Sequence, residues 1–314
     1  MKGPTPGQCA VFGPVPSRRL GLSLGVDLLI PKTCSLDCVY CECGPTTELT
    51  ATRRRLRDPG EVLAQVRKRL AEMGTPPDFI TVTGSGEPTL HLELGLVLRG
   101  LRELSPARLA VITNSTLTPD PQVRKELCLA DVIVPSLDAV SARAFRRVNR
   151  PAPGLAPEAI IEGLRLLRRD FRGQIWLEML FVEGLNDSPE EVAALAAAAA
   201  EIGPDKVQIN TVVRPPAHGG ARPLRRERLM EIAGRFSVPV EIIASPAARA
   251  VGDRGALAGV VVEMTRRRPC TVEDVAAMAG LEQEEARRLV EELVDHGRLK
   301  VEKFGAAVFY RGRS

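Results

Sequence analysis

The chain has 314 residues, of which 44% are hydrophobic and 4% aromatic, and a formal net charge of +4. This length accommodates one large α/β domain, or a domain of about 230–250 residues with a small second one. The low aromatic content argues against a surface on which nucleic-acid bases stack, and the small charge does not require a polyanionic partner. Apolar stretches of about 18 residues are absent, and the first residues lack the apolar region of a signal peptide, so we expect a cytoplasmic protein without a membrane span.

Short β-branched runs alternate with amphipathic helical stretches along most of the chain. Strands are predicted at residues 26–30, 79–83, 109–113, 132–135, 175–182 and 206–213, with 238–243 as a further candidate. Helices are predicted between them at residues 59–74, 93–104, 121–127, 157–169 and 189–202. Repeated strand–helix units form parallel sheets, and six of them fit an α/β fold built as a partial (β/α)6 TIM-type barrel. Functional side chains are then expected on the loops that follow the strands.

The chain divides into three predicted parts. Residues 1–24 form an N-terminal extension, residues 25–250 the partial barrel and residues 251–314 a small C-terminal domain. In this last part, helices predicted at 256–267, 271–279 and 283–297 precede two short strands, an order that resembles a winged helix-turn-helix. Residues 252–314 contain 11 basic and 11 acidic side chains, so a protein- or peptide-docking role fits at least as well as nucleic-acid binding.

Four of the seven cysteines lie within ten residues, a pattern that indicates a metal site instead of a disulfide framework. Cys34, Cys38 and Cys41 supply three thiolates from one tight loop after a predicted strand. Three ligands on a four-iron cluster leave one iron open to substrate. The alternatives are a structural zinc site or a four-cysteine electron-transfer cluster that includes Cys43. The chain has no second cysteine pair for zinc, and Cys43 lies only two residues after Cys41, so both alternatives are less favoured.

This cysteine segment, with an aromatic residue before its third cysteine, resembles the signature of the radical S-adenosylmethionine (SAM) superfamily. The resemblance implies a [4Fe–4S] cluster on Cys34, Cys38 and Cys41, with SAM chelating the open iron. It further implies that the reduced cluster cleaves SAM to methionine and a 5′-deoxyadenosyl radical, which abstracts hydrogen from a substrate. Tyr40 matches the aromatic residue that packs near the adenine of SAM in this family.

The loops after later strands also resemble segments that bind SAM in this superfamily. The sequence Gly-Ser-Gly-Glu-Pro after the second predicted strand is similar to the family's Gly-Gly-Glu-Pro segment, with a serine interrupting the glycine pair. Polar residues follow the next two strands, and the strand at 175–182 resembles the segment on the adenine side. The resemblance therefore implies SAM contacts from Gly84, Ser85, Gly86, Glu87, Asn114, Ser136, Asp138 and Val182.

The substrate is less well defined by the sequence. The segment at residues 12–21 resembles a prokaryotic subgroup related to wyosine-type tRNA-modifying synthases. Arg18, Arg19 and Lys32 are candidates to hold an anionic substrate, and Glu178 is a further candidate because its strand position points it into the barrel.

Three functions are compatible with these features. The first is a radical SAM enzyme acting on an RNA base, and the second is one that modifies a peptide or protein docked on the C-terminal domain. The third is a non-enzymatic iron–sulfur redox sensor that binds DNA, which the SAM-like segment and the six strand–helix units disfavour. Because the sequence contains no flavin-binding motif, the enzymatic functions require an external reductant such as a flavodoxin or ferredoxin.

Overall fold

The computed structural model describes residues 9–17, 19–30, 32–243 and 257–313. Arg18, a predicted substrate residue, lies outside the described residues. Among those described, no helix is long and apolar enough to cross a membrane.

The main sheet has eight strands in the order β1-β2-β5-β6-β7-β8-β9-β10. Its outermost strand β1 pairs antiparallel with β2, and all later neighbours are parallel. A two-stranded parallel pair, β3 with β4, holds the two ends of the cysteine segment together. The strands are β1 (Val11–Ser17), β2 (Gly21–Val26), β3 (Thr33–Cys34), β4 (Glu48–Leu49), β5 (Phe79–Val82), β6 (Arg108–Thr113), β7 (Val132–Pro135), β8 (Gln174–Phe181), β9 (Lys206–Thr211), β10 (Val240–Ile242), β11 (Leu299–Phe304) and β12 (Ala307–Gly312).

Helices follow the parallel strands in the alternating order that the sequence predicts. Three of them begin where a polar cap precedes a proline: in the first helix, for example, the Asp58 side chain accepts a hydrogen bond from the backbone of Glu61, and Pro59 follows the cap. The helices are α1 (Pro59–Glu72), α2 (Leu94–Leu104), α3 (Pro121–Leu127), α4 (Ala142–Val148), α5 (Pro157–Asp170), α6 (Pro189–Ile202), α7 (Arg226–Ala233), α8 (Leu257–Arg267), α9 (Val272–Ala279) and α10 (Gln283–Asp295). The fold is thus α/β with a mostly parallel sheet, consistent with a partial TIM-type barrel.

The two faces of the sheet have different surroundings. Outward residues such as Leu109, Ile133 and Leu177 belong to one large core shared with the helices. The opposite face carries a smaller apolar cluster that includes Val134 and Trp176. Because successive side chains alternate across a strand, this inner face also receives polar side chains from the same strands.

The first parallel strand lies earlier in the chain than the strand predicted at residues 26–30. Strand β2 spans Gly21–Val26, so residues 27–30 lie in the loop that follows it. Leu28 and Leu29 are buried within that loop, which explains why the apolar run at this position resembled a strand. Residues 11–17 and 21–24 consequently lie in strands of the main sheet.

The C-terminal segment contains three helices and a two-stranded antiparallel hairpin, β11 with β12. Thr271 caps α9 and forms a capping box with Asp274. Helices α8–α10 have their own apolar core, to which Val15 of β1 contributes. The assignment of this segment as a winged helix remains a prediction.

Candidate functional site

Three cysteines of the loop after β2 lie at the carboxyl edge of the sheet. Cys34, Cys38 and Cys41 are free thiols of intermediate exposure, and the backbone N–H of Cys41 donates to the carbonyl of Cys38 over 3.1 Å. Asn114 donates from Nδ2 to Cys34 Sγ over 3.5 Å. Asn149 donates from Nδ2 to Cys38 Sγ over 3.4 Å. Two of the three sulfurs therefore accept hydrogen bonds, one from the loop after β6 and one from the C-terminal end of α4.

The thiols differ in acidity because their surroundings differ. Burial raises the pKa of the Cys34 thiol to about 12. A hydrogen bond with Cys43 and the nearby Lys32 ammonium lower the pKa of the Cys41 thiol to about 6. In the described part of the chain, no three His, Cys, Asp or Glu side chains are arranged to coordinate a single metal ion.

Lys32 lies beside these cysteines. Its side chain is buried, and its Nζ has no hydrogen-bond partner among the described residues. Burial would lower the pKa of this amine, but the thiols of Cys41, Cys43 and Cys34 raise it above its usual value of 10.5. A buried cation facing thiols is suited to an anionic group held between them.

The segment after β5 packs directly against the cysteine loop. The backbone N–H of Glu87 donates to the carbonyl of Thr33 over 3.2 Å. A Cβ atom on Gly86 would lie 2.0 Å from that same carbonyl oxygen, so only glycine permits this approach. A Cβ atom on Gly84 would lie 2.2 Å from the carboxylate of Asp27. The predicted glycine segment thus approaches the loop as closely as a backbone can.

The carboxylate of Glu87 is fully engaged inside the protein. It accepts hydrogen bonds from the backbone and hydroxyl of Thr89, the hydroxyl of Thr113 and the backbone of Asn114, at 2.6–3.0 Å. Burial raises the pKa of this carboxyl, and these donors oppose the rise. Its side chain therefore fixes the loops after β5 and β6 relative to each other.

Asp138, after β7, is bound in a similar network. Its carboxylate accepts hydrogen bonds from the Tyr40 hydroxyl, from Asn149 Nδ2 over 2.8 Å and from the Leu180 backbone over 2.9 Å. Burial raises the pKa of Asp138 to about 6. Tyr40 also packs in one apolar cluster with Val182, so two residues predicted on the adenine side lie close together.

The inner face of the sheet brings together three other predicted residues. Ser136 pairs with Glu178 of β8 through a parallel bridge. Arg19 forms an ion pair with Glu178 over 2.9 Å, and both side chains are largely buried. Asn210 of β9 donates to the same carboxylate over 3.3 Å. Lys32, in contrast, faces the cysteines and not this group.

Several residues of the site were not predicted from the sequence. Asp37 accepts hydrogen bonds from the Thr46 backbone over 2.8 Å and from His218 Nε2 over 2.9 Å, which ties the cysteine loop to the segment after β9. Asn149 bonds both Cys38 and Asp138. The position of Asp37 immediately before Cys38 was a usable signal, whereas nothing in the spacing of His218 or Asn149 indicates their roles.

The C-terminal segment contacts the site at two places. Arg267 of α8 pairs with Asp27, and Asp27 in turn accepts hydrogen bonds from the backbone and hydroxyl of Ser85 over 3.2 and 3.0 Å. Arg214, after β9, pairs with Asp274 of α9 and lies 3.3 Å from the carboxylate of Glu42, between Cys41 and Cys43. Burial opposes the charge of Arg214, yet these carboxylates raise its pKa.

The comparisons with known proteins agree with this geometry. Residues 28–196, about half of the chain, match the model of the radical SAM superfamily. The chain therefore belongs to the radical SAM superfamily, whose cofactors are a [4Fe–4S] cluster and SAM. The wyosine-type subgroup remains a prediction.

Individual proteins that are similar to this chain define a narrower group within the superfamily. It is 33% identical over 227 residues to a UPF0026 protein of Methanocaldococcus jannaschii, covering 72% of this chain and 70% of that protein. A GTPase Obg of Brachyspira hyodysenteriae is 29% identical over 96% of this chain, which spans only 45% of that protein. More distantly, a dual-specificity RNA methyltransferase RlmN of Nitratidesulfovibrio vulgaris is 29% identical over 67% of this chain and 58% of its own.

Among solved structures, a radical SAM methyltransferase from Sphaerobacter thermophilus superposes with a TM-score of 0.55 at 22% identity. The superposition covers 70% of this chain and 65% of that protein, and it supports the barrel fold.

Proposed function

We propose that this chain holds a [4Fe–4S] cluster on Cys34, Cys38 and Cys41 and uses it to cleave SAM reductively. The observation that carries the proposal is the close packing of the Gly84–Glu87 backbone against the loop that presents these three thiols. When bound, the cluster and SAM supply reductive cleavage and a carbon radical that abstracts hydrogen from the substrate.

The chain's own residues position and stabilise these groups. Lys32 places a positive charge beside the thiolates, and Asn114 and Asn149 donate hydrogen bonds to sulfurs, both of which favour the reduced cluster. The backbone at Gly84, Ser85 and Gly86 offers polar groups next to the open side of the loop. The Glu87 carboxylate holds that segment in place through its hydrogen bonds with Thr113 and Asn114.

The remaining predicted residues extend the proposed SAM site along the sheet edge. Asn114 and Ser136 follow β6 and β7, where parallel strands present polar groups to a bound ligand. Tyr40 and Val182 provide an apolar surface for an adenine ring, with the Tyr40 ring fixed by its hydrogen bond to Asp138. An external one-electron donor completes the requirements, because radical SAM enzymes generally need an external reductant.

For the substrate, we propose an RNA base that enters the inner face of the sheet. Arg19, Glu178 and Asn210 present a cation, a carboxylate and an amide on this face, a set that matches the donors and acceptors of a base edge. The distant similarity to an RNA methyltransferase supports this choice. A peptide substrate is the alternative. If bulk RNA stimulates SAM cleavage and the same RNA after ribonuclease treatment does not, the substrate is RNA. If neither stimulates SAM cleavage, the peptide substrate is favoured.

Iron and sulfide analysis with electron paramagnetic resonance tests the cofactor assignment. The anaerobically reconstituted wild type should contain about four irons per chain, and SAM should change the spectrum of the reduced cluster. Cys34→Ala, Cys38→Ala and Cys41→Ala should each lose the cluster, while the matched Cys43→Ala and Cys128→Ala should retain it. Zinc in place of iron, or a cluster that needs Cys43, would contradict the proposal.

A further inference from the structure

The hairpin formed by β11 and β12 is fixed to the cysteine loop at Glu42. Arg311 of β12 donates from Nη1 to the backbone carbonyl of Glu42 over 3.5 Å. Both carboxylate oxygens of Glu302, on β11, accept hydrogen bonds from Arg311 Nε over 3.0 Å, which orients this guanidinium. The buried Arg214 lies 3.3 Å from the carboxylate of Glu42 and also pairs with Asp274 of α9. The C-terminal segment therefore contacts both the backbone and the side chain of this loop residue.

The face of the hairpin that carries Arg311 also carries Phe304. Arg311 lies opposite Lys300 in the antiparallel register, and Phe304 lies opposite Ala307. Because successive side chains of a strand alternate, Phe304 projects from the same face as Lys300 and Arg311. Phe304 is the last residue of β11, and Gly305, with a φ of 60°, begins the turn that follows. Phe304 is thus at the tip of the hairpin, on the face that contacts the cysteine loop.

Phe304 packs against the apolar cluster to which Tyr40 also belongs. The centre of this cluster consists of four buried side chains, those of Val148, Val182, Val212 and Ala221. Among the residues that the structure describes, Tyr40 and Phe304 are its two aromatic members, and both are only half-buried. Parts of two aromatic rings therefore border one apolar surface.

We infer that Phe304 is a third side chain of the adenine-binding surface, supplied by the C-terminal hairpin. The inference rests on the proposed function, in which Tyr40 and Val182 contact the adenine of SAM. A purine presents a flat π-face, and an aromatic ring stacks on such a face whichever base carries it. Phe304 lies outside residues 28–196, which match the superfamily model, so this contact is an addition to what the matched region supplies.

The alternative role of Phe304 is to anchor the hairpin. The hairpin has other anchors, because Leu299 and Tyr310 pack in the apolar core of α8–α10 and Arg311 binds the cysteine loop. Substitution of Phe304 should consequently leave the hairpin folded and attached. The two roles are then separable by measuring which part of SAM loses affinity.

The test measures binding of the adenine part and of the amino-acid part of SAM separately. The anaerobically reconstituted full-length protein is equilibrated with SAM, with 5′-deoxyadenosine or with methionine, and each dissociation constant is determined by equilibrium dialysis. Phe304→Ala removes the ring, whereas Phe304→Leu keeps an apolar side chain against the cluster. The matched control is Val308→Ala on the opposite face of the same hairpin, where Val308 is 40% exposed. Iron content and urea unfolding are recorded for every protein.

We expect Phe304→Ala to weaken the binding of 5′-deoxyadenosine and of SAM at least about fivefold, because a stacked ring is lost. Its affinity for methionine, its iron content and its urea midpoint should remain close to those of the wild type. Phe304→Leu should weaken 5′-deoxyadenosine binding by about twofold to tenfold, since a leucine preserves the apolar contact but not the ring. Val308→Ala should bind all three probes as the wild type does.

Three results would overturn the inference. Unchanged affinity for 5′-deoxyadenosine in both Phe304 variants would show that the ring does not contact adenine. Equal losses of 5′-deoxyadenosine and methionine affinity would show that Phe304 acts on the whole site by anchoring the hairpin. An equal loss of 5′-deoxyadenosine affinity in Val308→Ala would show that any change in the hairpin has this effect.

Two further outcomes separate this inference from the proposed function. If Phe304→Ala loses binding of bulk RNA but keeps its affinity for 5′-deoxyadenosine, the ring contacts a substrate base and the inference is wrong, although SAM cleavage stands. If the wild type does not cleave SAM with dithionite and does not bind 5′-deoxyadenosine, the proposed function is wrong, and the inference is overturned with it.

Discussion

Arg267 and Asp27 form a buried ion pair between the C-terminal segment and the loop after the first parallel strand, with Arg267 Nη1 2.5 Å from Asp27 Oδ2. The second guanidinium nitrogen donates to the carbonyl of Cys9 over 2.6 Å, and the guanidinium lies over the ring of Phe12 at 4.4 Å. The same oxygen of Asp27 accepts the two hydrogen bonds of Ser85. The C-terminal segment therefore supports the glycine segment of the proposed SAM site through one carboxylate.

Removing this support should weaken SAM binding without removing the cluster. Arg267→Ala leaves Asp27 buried and unpaired, and we expect it to lower the free energy of unfolding by about 3–5 kcal/mol and to raise the dissociation constant for SAM several-fold. Urea unfolding and equilibrium SAM binding measure the two effects. Arg266→Gln, at a neighbouring exposed position, should change neither. Iron loss in Arg267→Ala equal to that of a cysteine variant would contradict this role.

A single methyl group on Gly86 should separate the two segments of the site. The added Cβ atom would lie 2.0 Å from the backbone oxygen of Thr33, which cannot give way without moving the cysteine loop. We expect Gly86→Ala to lower the free energy of unfolding by about 1–3 kcal/mol and to abolish measurable SAM binding. Gly74→Ala is the control, since no atom lies within 4 Å of a Cβ placed there. Unchanged SAM affinity in Gly86→Ala would show that this contact is not required.

Lys32 should set the reduction potential of the cluster. Its buried ammonium stabilises the additional negative charge of the reduced state, so Lys32→Gln is expected to lower the midpoint potential by on the order of 59 mV, a tenfold change in the reduction equilibrium. A redox titration followed by electron paramagnetic resonance gives the value. Lys68→Gln, whose side chain is 80% exposed in the wild type, should leave it unchanged. An equal or higher midpoint potential in Lys32→Gln would show that the Lys32 charge does not stabilise the reduced cluster.

The Arg214–Asp274 pair should make the attachment of the C-terminal segment sensitive to acid. Burial opposes the charge of Asp274, but hydrogen bonds from Arg214 hold the pKa of this carboxyl below its usual 3.8. A carboxyl whose pKa is lowered on folding stabilises the protein above its unfolded pKa, and this contribution disappears as the pH falls through the lower folded value. The stabilisation is thus fully present at pH 6, begins to decrease near pH 4 and is lost as the pH falls through the lower folded pKa.

Urea unfolding of the metal-free protein at several pH values tests this dependence. Asp274→Asn should be less stable than the wild type by about 3 kcal/mol at pH 6, and the difference should shrink below about pH 4. A difference that is independent of pH would indicate that the carboxylate charge is not the source of the stabilisation.

The positions of features that depend on local spacing were predictable from the sequence, whereas the roles of the site residues remain predictions. The three cysteines, the glycine segment after β5 and most helices follow from periodicity and short motifs, and the structure places them where parallel strands end. The first parallel strand was misplaced because Leu28 and Leu29 are buried in a loop, which apolar patterning alone does not distinguish from a strand.

Contacts between distant parts of the chain were not predictable. Asp27 and Arg267 are 240 positions apart, and Asp37 and His218 are 181 apart. Their pairing depends on how the C-terminal segment and the loop after β9 pack on the sheet, which no local pattern encodes. Helix α4 was also missed, because a seven-residue helix with three arginines shows little apolar periodicity.

The most direct test of the central claim is the formation of 5′-deoxyadenosine from SAM. The anaerobically reconstituted protein is reduced with dithionite, and the product is quantified by chromatography alongside Cys34→Ala, Cys38→Ala, Cys41→Ala and the control Cys43→Ala. We predict 5′-deoxyadenosine from the wild type and from Cys43→Ala, and none above background from the other three variants. A reduced, fully loaded wild type that leaves SAM intact would contradict the account.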